Sequence, residues 1–307
     1  MSDLSILFPG QGSQELGMGR ELAEDWSVAM DMWKFAETES GLPLREIYWQ
    51  GSPADMSKTE ALQPALTVVN LSLWLYLKDS LTPAATAGHS LGEFASLGAS
   101  GILSINDTIK AVSLRGKLMS QVANADHGMA AVLKLSQGDV EEAVEVARSE
   151  SGKELRIANY NSPAQYVISG EKAALDAAGV VIKEKKGRAI VLPVSGAFHS
   201  PLIQEAADEF AAYLKKMDWN IPAFPVYFNA TAAPEKNPEE IKKIMCAQMT
   251  SSVRWIEIIA NQYEAGVDTF FELGPKGVLT KLLVANLKGK EYEGKGIGNL
   301  AQAQEVK

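Results

Sequence analysis

The sequence predicts an α/β fold in which a large domain with a mainly parallel sheet carries a small inserted subdomain. Short apolar runs closed by glycine or proline alternate with stretches of helical periodicity along most of the chain. A middle segment departs from this alternation and places strands and helices in the order βαββαβ. The 307 residues also slightly exceed the length at which a single core stops growing. We therefore expect a large domain of residues 1–126 and 196–307 and a subdomain of residues 127–195.

In the first part of the large domain, predicted elements lie on either side of Ser90, a serine between two glycines. Its predicted elements, in chain order, are the strand Leu4–Phe8, the helical stretch Leu16–Glu39, the apolar helix Leu66–Leu77, a strand of small residues at 82–88 and a helix from Leu91 to Gly101. Leu66–Leu77 is too short to cross a bilayer and is therefore predicted to lie in the core. Ser90 thus lies between a predicted strand and a predicted helix.

The insertion and the chain after it supply the remaining elements. Within the insertion we predict strands at 129–135, 154–160, 164–170 and 188–194, and helices at 137–149 and 171–184. That order is the split unit of ferredoxin-like folds. After it we predict a helix ending near Met217, a strand at 224–228, helices at 238–246 and 255–264, a strand at 267–275 and a closing helix at 277–287. This alternation favours a parallel sheet with helices on both faces.

Composition excludes several function classes. The formal net charge of -9 argues against a nucleic-acid partner, since phosphate contacts need clustered Lys and Arg. A single cysteine, Cys246, allows no intrachain disulfide, and no cluster of metal ligands is evident, so we expect no metal site. The N-terminus lacks the basic region of a signal peptide. We expect a cytoplasmic protein that spans no membrane.

Ser90 is the centre of the motif Gly88-x-Ser90-x-Gly92. The pattern arises often enough by chance that, alone, it is weak evidence for a catalytic serine. A strand before it and a helix after it are the context that a nucleophile elbow requires. A serine hydroxyl also needs a base within hydrogen-bonding reach. Of the three histidines, His89 is expected to shape the elbow, and His127 to lie in a solvated loop. His199 is the candidate base, although its position alone leaves a helix-capping role equally open.

Seven motifs in register make the chain resemble the malonyl-CoA:acyl-carrier-protein transacylases, over about residues 4–285. They are "FPGQGSQ" (8–14), "GHSLGEF" (88–94), "LRGKLM" (114–119), "NYNSPAQYVISG" (159–170), "GAFHSPL" (196–202), "QMTSSVRW" (248–255) and "FELGP" (271–275). The resemblance implies a large domain similar to that of α/β-hydrolases. It also implies an acyltransferase with a Ser-His dyad.

The resemblance assigns roles to individual residues. Ser90 would attack the malonyl thioester, and His199 would take its proton while the backbone carbonyl of Gln248 orients the imidazole ring. The backbone N–H groups of Gln11 and Leu91 would form the oxyanion hole.

Substrate selection is expected at two further positions. Arg115 would bind the malonyl carboxylate, whereas without the resemblance it is expected to be a surface helix residue. Phe198 would form a site wall that excludes an α-methyl branch, so malonyl should be preferred over methylmalonyl.

Two departures from the family pattern affect the local backbone. Lys276 and Gly277 stand in the reverse of the common order, and Ser252 stands where proline is frequent. Because Ser252 is close to Gln248 in the sequence, the orientation of His199 is the feature most exposed to this change.

The resemblance further implies the reaction partners. The donor would be a coenzyme A thioester and the acceptor the phosphopantetheine thiol of acyl carrier protein. Independently of the resemblance, we expect a monomeric enzyme that uses no cofactor. Because carrier proteins are acidic, docking requires a local basic patch, for which the candidates are Lys183, Lys185, Lys186, Arg188, Lys276 and Lys281.

Three alternatives remain open. The chain could instead be a serine esterase or thioesterase, a free-standing polyketide acyltransferase, or a carrier-protein-binding module without catalysis. Intact Ser90, His199 and Arg115 argue against the last of these.

Overall fold

The computed structural model describes residues 3–194 and 196–307. The nine strands assigned within these ranges are β1 Asp3–Phe8, β2 Pro83–Gly88, β3 His127–Leu133, β4 Leu155–Ser162, β5 Gln165–Glu171, β6 Arg188–Val191, β7 Val226–Tyr227, β8 Val267–Leu273 and β9 Glu293–Ile297. The helices of the first half are α1 Arg20–Asp25, α2 Ser27–Ser40, α3 Leu44–Gln50, α4 Pro53–Met56, α5 Thr59–Leu77, α6 Gly92–Ala99 and α7 Ile105–Gln121. Those of the second half are α8 Gln137–Ser151, α9 Lys172–Glu184, α10 Gln204–Leu214, α11 Pro238–Cys246, α12 Trp255–Glu264, α13 Val278–Asn286 and α14 Leu300–Gln304.

The large sheet is parallel throughout and runs in the order β7-β2-β1-β8-β9. The central strand β1 is buried on both faces. Its Ile6 and Phe8 join the cluster that contains α5 and α7, whereas Leu7 joins a second cluster with α12 and α13. Helices therefore cover both faces, as predicted. Since β1 pairs in parallel with β2, the loops that follow the carboxyl ends of these two strands lie side by side at one edge of the sheet.

The small sheet is antiparallel and has the order β4-β5-β3-β6. Helices α8 and α9 pack against it around a separate core that includes Val132, Val140 and Ile168. This strand order is that of a ferredoxin-like unit, so the predicted fold class is confirmed. The predicted limits at residues 1 and 195 fall outside the described residues, and the division at 126/127 stays a prediction.

Several element boundaries differ from expectation for local reasons. The helical stretch predicted from Leu16 begins only at Arg20, because Gly17 and Gly19 adopt φ values of 83° and 71°. The last small-sheet strand ends at Val191 rather than at 194, where Pro193 cannot donate to a ladder.

Other elements were not predicted at all, namely α3, α4, β9 and α14. In the described parts of the chain, no helix is both long and apolar enough to cross a membrane.

Candidate active site

Ser90 sits on a strained turn directly after β2. Its φ of 51° lies in the left-handed region, which a residue with a side chain rarely adopts. A Cβ atom on Gly88 would lie 1.9 Å from the carbonyl carbon of Gly92, and one on Gly92 would lie 2.0 Å from the carbonyl oxygen of Phe8. Both glycines of the motif are therefore required by backbone contact, and the turn has the geometry of a nucleophile elbow.

Ser90 and His199 are in direct contact. The Ser90 Oγ lies 2.7 Å from His199 Nε2, although the two residues are 109 positions apart in the sequence. His199 also has a positive φ, 57°, so the turn that presents the imidazole is strained as well. This is the geometry that a general base needs toward a nucleophile.

The carbonyl that orients the imidazole differs from expectation. His199 Nδ1 donates to the carbonyl of Ser251 at 2.8 Å, not to that of Gln248 as predicted. The Gln248 carbonyl accepts instead from the Ser251 amide at 3.2 Å, within the short 3-10 turn Gln248–Thr250 that precedes Ser251. The turn thus shifts the hydrogen bond by three residues. The Ser252 hydroxyl donates to the Ile157 carbonyl at 2.8 Å and anchors this segment to β4.

The environment keeps His199 neutral. Burial and the nearby positive charge of Arg115 lower its pKa to about 3, against a smaller raising effect of the Ser251 carbonyl. Because Nδ1 donates to a carbonyl, Nε2 is left as the acceptor for the Ser90 proton. A neutral imidazole in this tautomer is ready to act as a base.

Neither of the other two histidines forms a hydrogen bond with Ser90 Oγ among the described residues. His89 Nε2 lies 2.7 Å from Asn161 Oδ1, and its ring meets the edge of Trp255, which agrees with the predicted role in shaping the elbow. His127 is half-buried as the first residue of β3, so the expectation of a solvated loop was wrong. Strand pairing with Glu171 places it there.

Two backbone amides face the elbow without an acceptor. Among the hydrogen bonds of residues 3–194 and 196–307, neither Gln11 nor Leu91 uses its N–H as a donor. A Cβ on Gly10 would lie 2.4 Å from the His89 carbonyl oxygen and 3.6 Å from the Leu91 nitrogen, so the loop after β1 touches the turn after β2. Leu91 precedes α6 and lies at the positive end of that helix. The pair is suited to stabilise an oxyanion.

Arg115 is buried, with 1% of its surface exposed, so the alternative of a surface helix residue was wrong. Its guanidinium donates to Gln63 Oε1 at 2.9 Å, to Gln248 Oε1 at 3.1 Å and to Ser90 Oγ at 3.4 Å. Burial lowers its pKa to about 10 while the Glu93 charge opposes this, so the group stays cationic at neutral pH. A buried cation lies beside the Ser90 hydroxyl.

A cavity of about 260 Å³ opens above these groups. Phe198, 7% exposed, forms part of its wall. The remaining lining residues are Gly10, Gln11, Gln63, His89, Ser90, Leu91, Arg115, Met119, Met129, Ala131, Asn159, Asn161, Gln165, Val167, Leu192, Val194, His199, Val278, Leu279 and Leu282. Gln248 lies beneath this surface and reaches Arg115 from below.

The sequence did not single out Gln63, Glu93 or Asn229, which complete the polar network. Asn229 accepts from the Ser90 amide at 2.7 Å across 139 positions, a pairing that no local pattern indicates. The sequence did carry a signal for Glu93, which is an acid within an otherwise apolar helix. Acids are rarely buried without a partner, and Glu93 is wholly buried in the first turn of α6.

The predicted basic patch is only partly available. Lys185 is paired with Asp139 at 3.2 Å and Glu142 at 2.9 Å. Lys183, Lys186 and Arg188 are exposed, and the chain that follows Arg188 reaches the cavity wall at Leu192. Two further candidates, Lys276 and Lys281, are exposed beside α13.

Comparison with known proteins places the chain in a family. The model of the acyl transferase domain matches residues 6–303. The malonyl CoA-acyl carrier protein transacylase of Haemophilus influenzae is 36% identical over 296 residues, covering 94% of each chain. The protein of the same name from Bacillus subtilis is 36% identical over 286 residues, covering 92% of this chain and 90% of the relative.

Solved structures give the same result. An acyl carrier protein S-malonyltransferase from Vibrio cholerae superposes with a TM-score of 0.93 at 36% identity and 100% coverage of both chains. A malonyl-transacylase in complex with a type II PKS acyl-carrier protein superposes with a TM-score of 0.93 at 32% identity and 99% coverage of both. With the fold, the elbow and near-complete coverage in agreement, the chain belongs to the acyl transferase family, among the malonyl CoA-acyl carrier protein transacylases.

Proposed function

We propose that this acyltransferase moves the malonyl group from malonyl-CoA to the phosphopantetheine thiol of acyl carrier protein, through a malonyl-serine intermediate on Ser90. The observation that carries the proposal is the Arg115 guanidinium, buried within 3.4 Å of the nucleophilic oxygen. A desolvated cation at this distance favours an acyl group that ends in a carboxylate. The names of the relatives agree with this choice of substrate.

Acylation of Ser90 needs only groups already in place. As Ser90 Oγ attacks the thioester carbonyl, His199 Nε2 takes its proton, and the carbonyl oxygen becomes an oxyanion held by the Gln11 and Leu91 amides. Collapse of this intermediate breaks the carbon–sulfur bond. The imidazolium returns its proton to the departing sulfur, so coenzyme A leaves as the thiol.

The second half of the reaction reverses these roles. The carrier thiol gives its proton to His199 as its sulfur attacks the malonyl-serine ester. The carbon–oxygen bond to Ser90 breaks, and the imidazolium returns the proton to the serine oxygen. Arg115 holds the malonyl carboxylate through both halves, so the ester carbonyl keeps its position.

Phe198 limits which acyl groups fit. It lines the cavity with His199 as its neighbour, and its ring occupies space that an α-methyl branch would need. We expect malonyl-CoA to be preferred over methylmalonyl-CoA. Equal or faster turnover of methylmalonyl-CoA by the wild-type protein would contradict this role.

Carrier-protein docking is proposed at the exposed residues Lys183, Lys186 and Arg188, with contributions from Lys276 and Lys281 beside α13. Charge complementarity supports the patch, because the chain as a whole has a formal net charge of -9 and would repel an acidic carrier. Replacing the first three residues with Glu should raise KM for the carrier about tenfold while KM for malonyl-CoA changes little. An equal rise in both constants would assign the patch to coenzyme A instead, and Lys34→Glu on α2 serves as the control.

We further propose that the protein acts in the cytoplasm as a monomer without a cofactor. The single cysteine fits a reducing compartment, and the two half-reactions above are complete with protein groups alone. A polyketide carrier as acceptor remains a second candidate, because one structural neighbour is bound to such a carrier.

Mass spectrometry of the intact protein tests the proposed function. Incubation with malonyl-CoA should add one malonyl group to the wild type and none to Ser90→Ala, and carrier protein should then remove it. Ser162→Ala, which replaces a buried serine of the small sheet, should behave as wild type. Labelling that survives Ser90→Ala would contradict the nucleophile, and rapid loss of the malonyl group in buffer alone would favour a thioesterase.

A further inference from the structure

Glu93 is a fully buried carboxylate that the reaction steps above do not use. It lies in the first turn of α6, with none of its surface exposed. One oxygen accepts from the backbone N–H of Asn229 at 2.7 Å, and the other accepts from Gln248 Nε2 at 3.0 Å. A buried acid is costly unless it is fully hydrogen-bonded, so its partners indicate what it does.

Both partners of Glu93 hold the strained backbone of the nucleophile. The Asn229 side chain accepts from the Ser90 amide at 2.7 Å and donates to the Gly88 carbonyl at 2.7 Å. Gln248 Nε2, from the opposite side, donates to the Ser90 carbonyl at 2.9 Å. The side-chain amides of Asn229 and Gln248 thus hold the two ends of residue Ser90. Glu93 accepts from both residues, from the backbone N–H of Asn229 and from the side chain of Gln248.

The same carboxylate helps to determine which way the Gln248 amide faces. Gln248 Nε2 donates both to Glu93 and to the Ser90 carbonyl, so the NH₂ group points at these two acceptors and the amide oxygen points away. That oxygen accepts from Arg115 at 3.1 Å. With the amide turned over, the NH₂ group would face the guanidinium, donor against donor.

We infer that Glu93 is a positioning residue that sets both the Ser90 turn and, through Gln248, the guanidinium of Arg115. Burial raises the pKa of Glu93 to about 7, while the hydrogen bonds from Asn229 and Gln248 and the charge of Arg115 favour its ionised form. In that form Glu93 favours the cationic form of Arg115. One buried carboxylate thereby couples the nucleophile to the group that selects the acyl chain. The inference rests on the proposed function for the role of Arg115.

The test is Glu93→Gln, which keeps size and burial but places a donor opposite Gln248 Nε2. We expect kcat/KM for malonyl-CoA to fall about 100-fold and kcat/KM for acetyl-CoA about tenfold. Acetyl-CoA has no carboxylate for Arg115 to bind, so its turnover is affected only by the misplaced Ser90 turn. The ratio of the two constants therefore falls about tenfold. A residue that merely supported the fold would lower both equally.

Glu272→Gln is the matched control. Glu272 is equally buried and accepts from the amide and hydroxyl of Thr280, away from Ser90. This variant should lose stability but keep the malonyl to acetyl ratio within about twofold.

Three outcomes separate the ideas. A folded Glu93→Gln with the wild-type ratio would overturn the inference, and so would misfolding of both Glu93→Gln and the shorter Glu93→Asp, which would make this acid a determinant of folding. Failure of the wild type to accept malonyl from malonyl-CoA would instead overturn the proposed function.

Discussion

The two walls of the cavity differ sharply in chemistry. The wall from the large domain presents Ser90, Gln63 of α5 and Arg115 of α7, which are joined by hydrogen bonds and supported from beneath by Gln248. The facing wall from the small subdomain presents mainly apolar side chains, Met129, Ala131, Val167, Leu192 and Val194, together with the uncharged amides Asn159, Asn161 and Gln165. One wall therefore carries the reacting groups and their fixed charges, while the other covers them. Covering an ester intermediate with apolar surface is one way to favour transfer to a thiol over hydrolysis.

Replacement of Arg115 disrupts the wall that carries Ser90, Gln63 and Arg115, here called the polar wall, and should have the largest effect on catalysis. Arg115→Lys keeps the charge but loses the planar pair of donors, so we expect kcat/KM for malonyl-CoA to fall about 100-fold or more. Acetyl-CoA, which has no free carboxylate, should lose less than about fivefold. Single-turnover acylation with both substrates measures the difference, and equal losses would remove Arg115 from substrate selection.

The pH profile sharpens the contrast because it reports on the buried imidazole of the polar wall. With its pKa lowered to about 3 from an ordinary 6.5, His199 stays a neutral base across the mildly acidic range. At pH 5 acylation should retain about 30-fold more of its rate than an imidazole with the ordinary pKa would allow. Stopped-flow acylation between pH 4.5 and 8 would show an inflection near 6.5 if this were wrong.

The free energy of unfolding should also depend on the protonation of His199. The unfolded imidazole binds a proton below about pH 6.5 and the folded one only below about 3, so the free energy of unfolding should decrease as pH falls through this window. His89, whose pKa is also lowered by burial, acts in the same direction. Urea titrations at pH 7 and pH 5 would measure the loss.

The wall from the small subdomain, here called the apolar wall, can be tested by removing part of its apolar surface and measuring whether the malonyl-enzyme is then hydrolysed faster. Met129→Ser should raise hydrolysis of the malonyl-enzyme about tenfold and change transfer to the carrier less than about threefold. Val144→Ser, in the core of the same subdomain but away from the cavity, controls for lost packing. Unchanged hydrolysis in Met129→Ser would mean that water is excluded by something other than this wall.

The smallest expected effect concerns backbone strain. Ser90 and His199 hold left-handed conformations in the site, whereas Lys134 has a φ of 68° at an exposed position after β3. Lys134→Gly should raise the free energy of unfolding by about 0.5–1 kcal/mol and leave acylation unchanged. Thermal melts and the acylation assay would together show whether strain matters only on the polar wall.

Most of the architecture was predictable because periodicity is local. The predicted bounds of α11 and α12 match the structure, and the order of the small sheet followed from its strand and helix sequence. The missed elements, such as β9 with its two glycines, lack a strong apolar pattern.

The site was predictable only as far as its motifs reach. Ser90 and His199 come together as the resemblance implied. The hydrogen bond from His199 to the Ser251 carbonyl results from a tight turn. The hydrogen bond from the Ser90 amide to the Asn229 side chain joins residues 139 positions apart. Such contacts depend on three-dimensional packing and have no periodic signature.

The position of Asn229 has a consequence for how the protein responds to heat. This residue follows β7, an edge strand of only two residues that pairs with β2 and otherwise forms a single bridge, from Tyr227 to Pro234. Short edge pairings open locally at free energies well below that of global unfolding. Transient fraying of this edge would release the Ser90 turn while the rest of the molecule remains intact, so activity should disappear on warming before the helices melt.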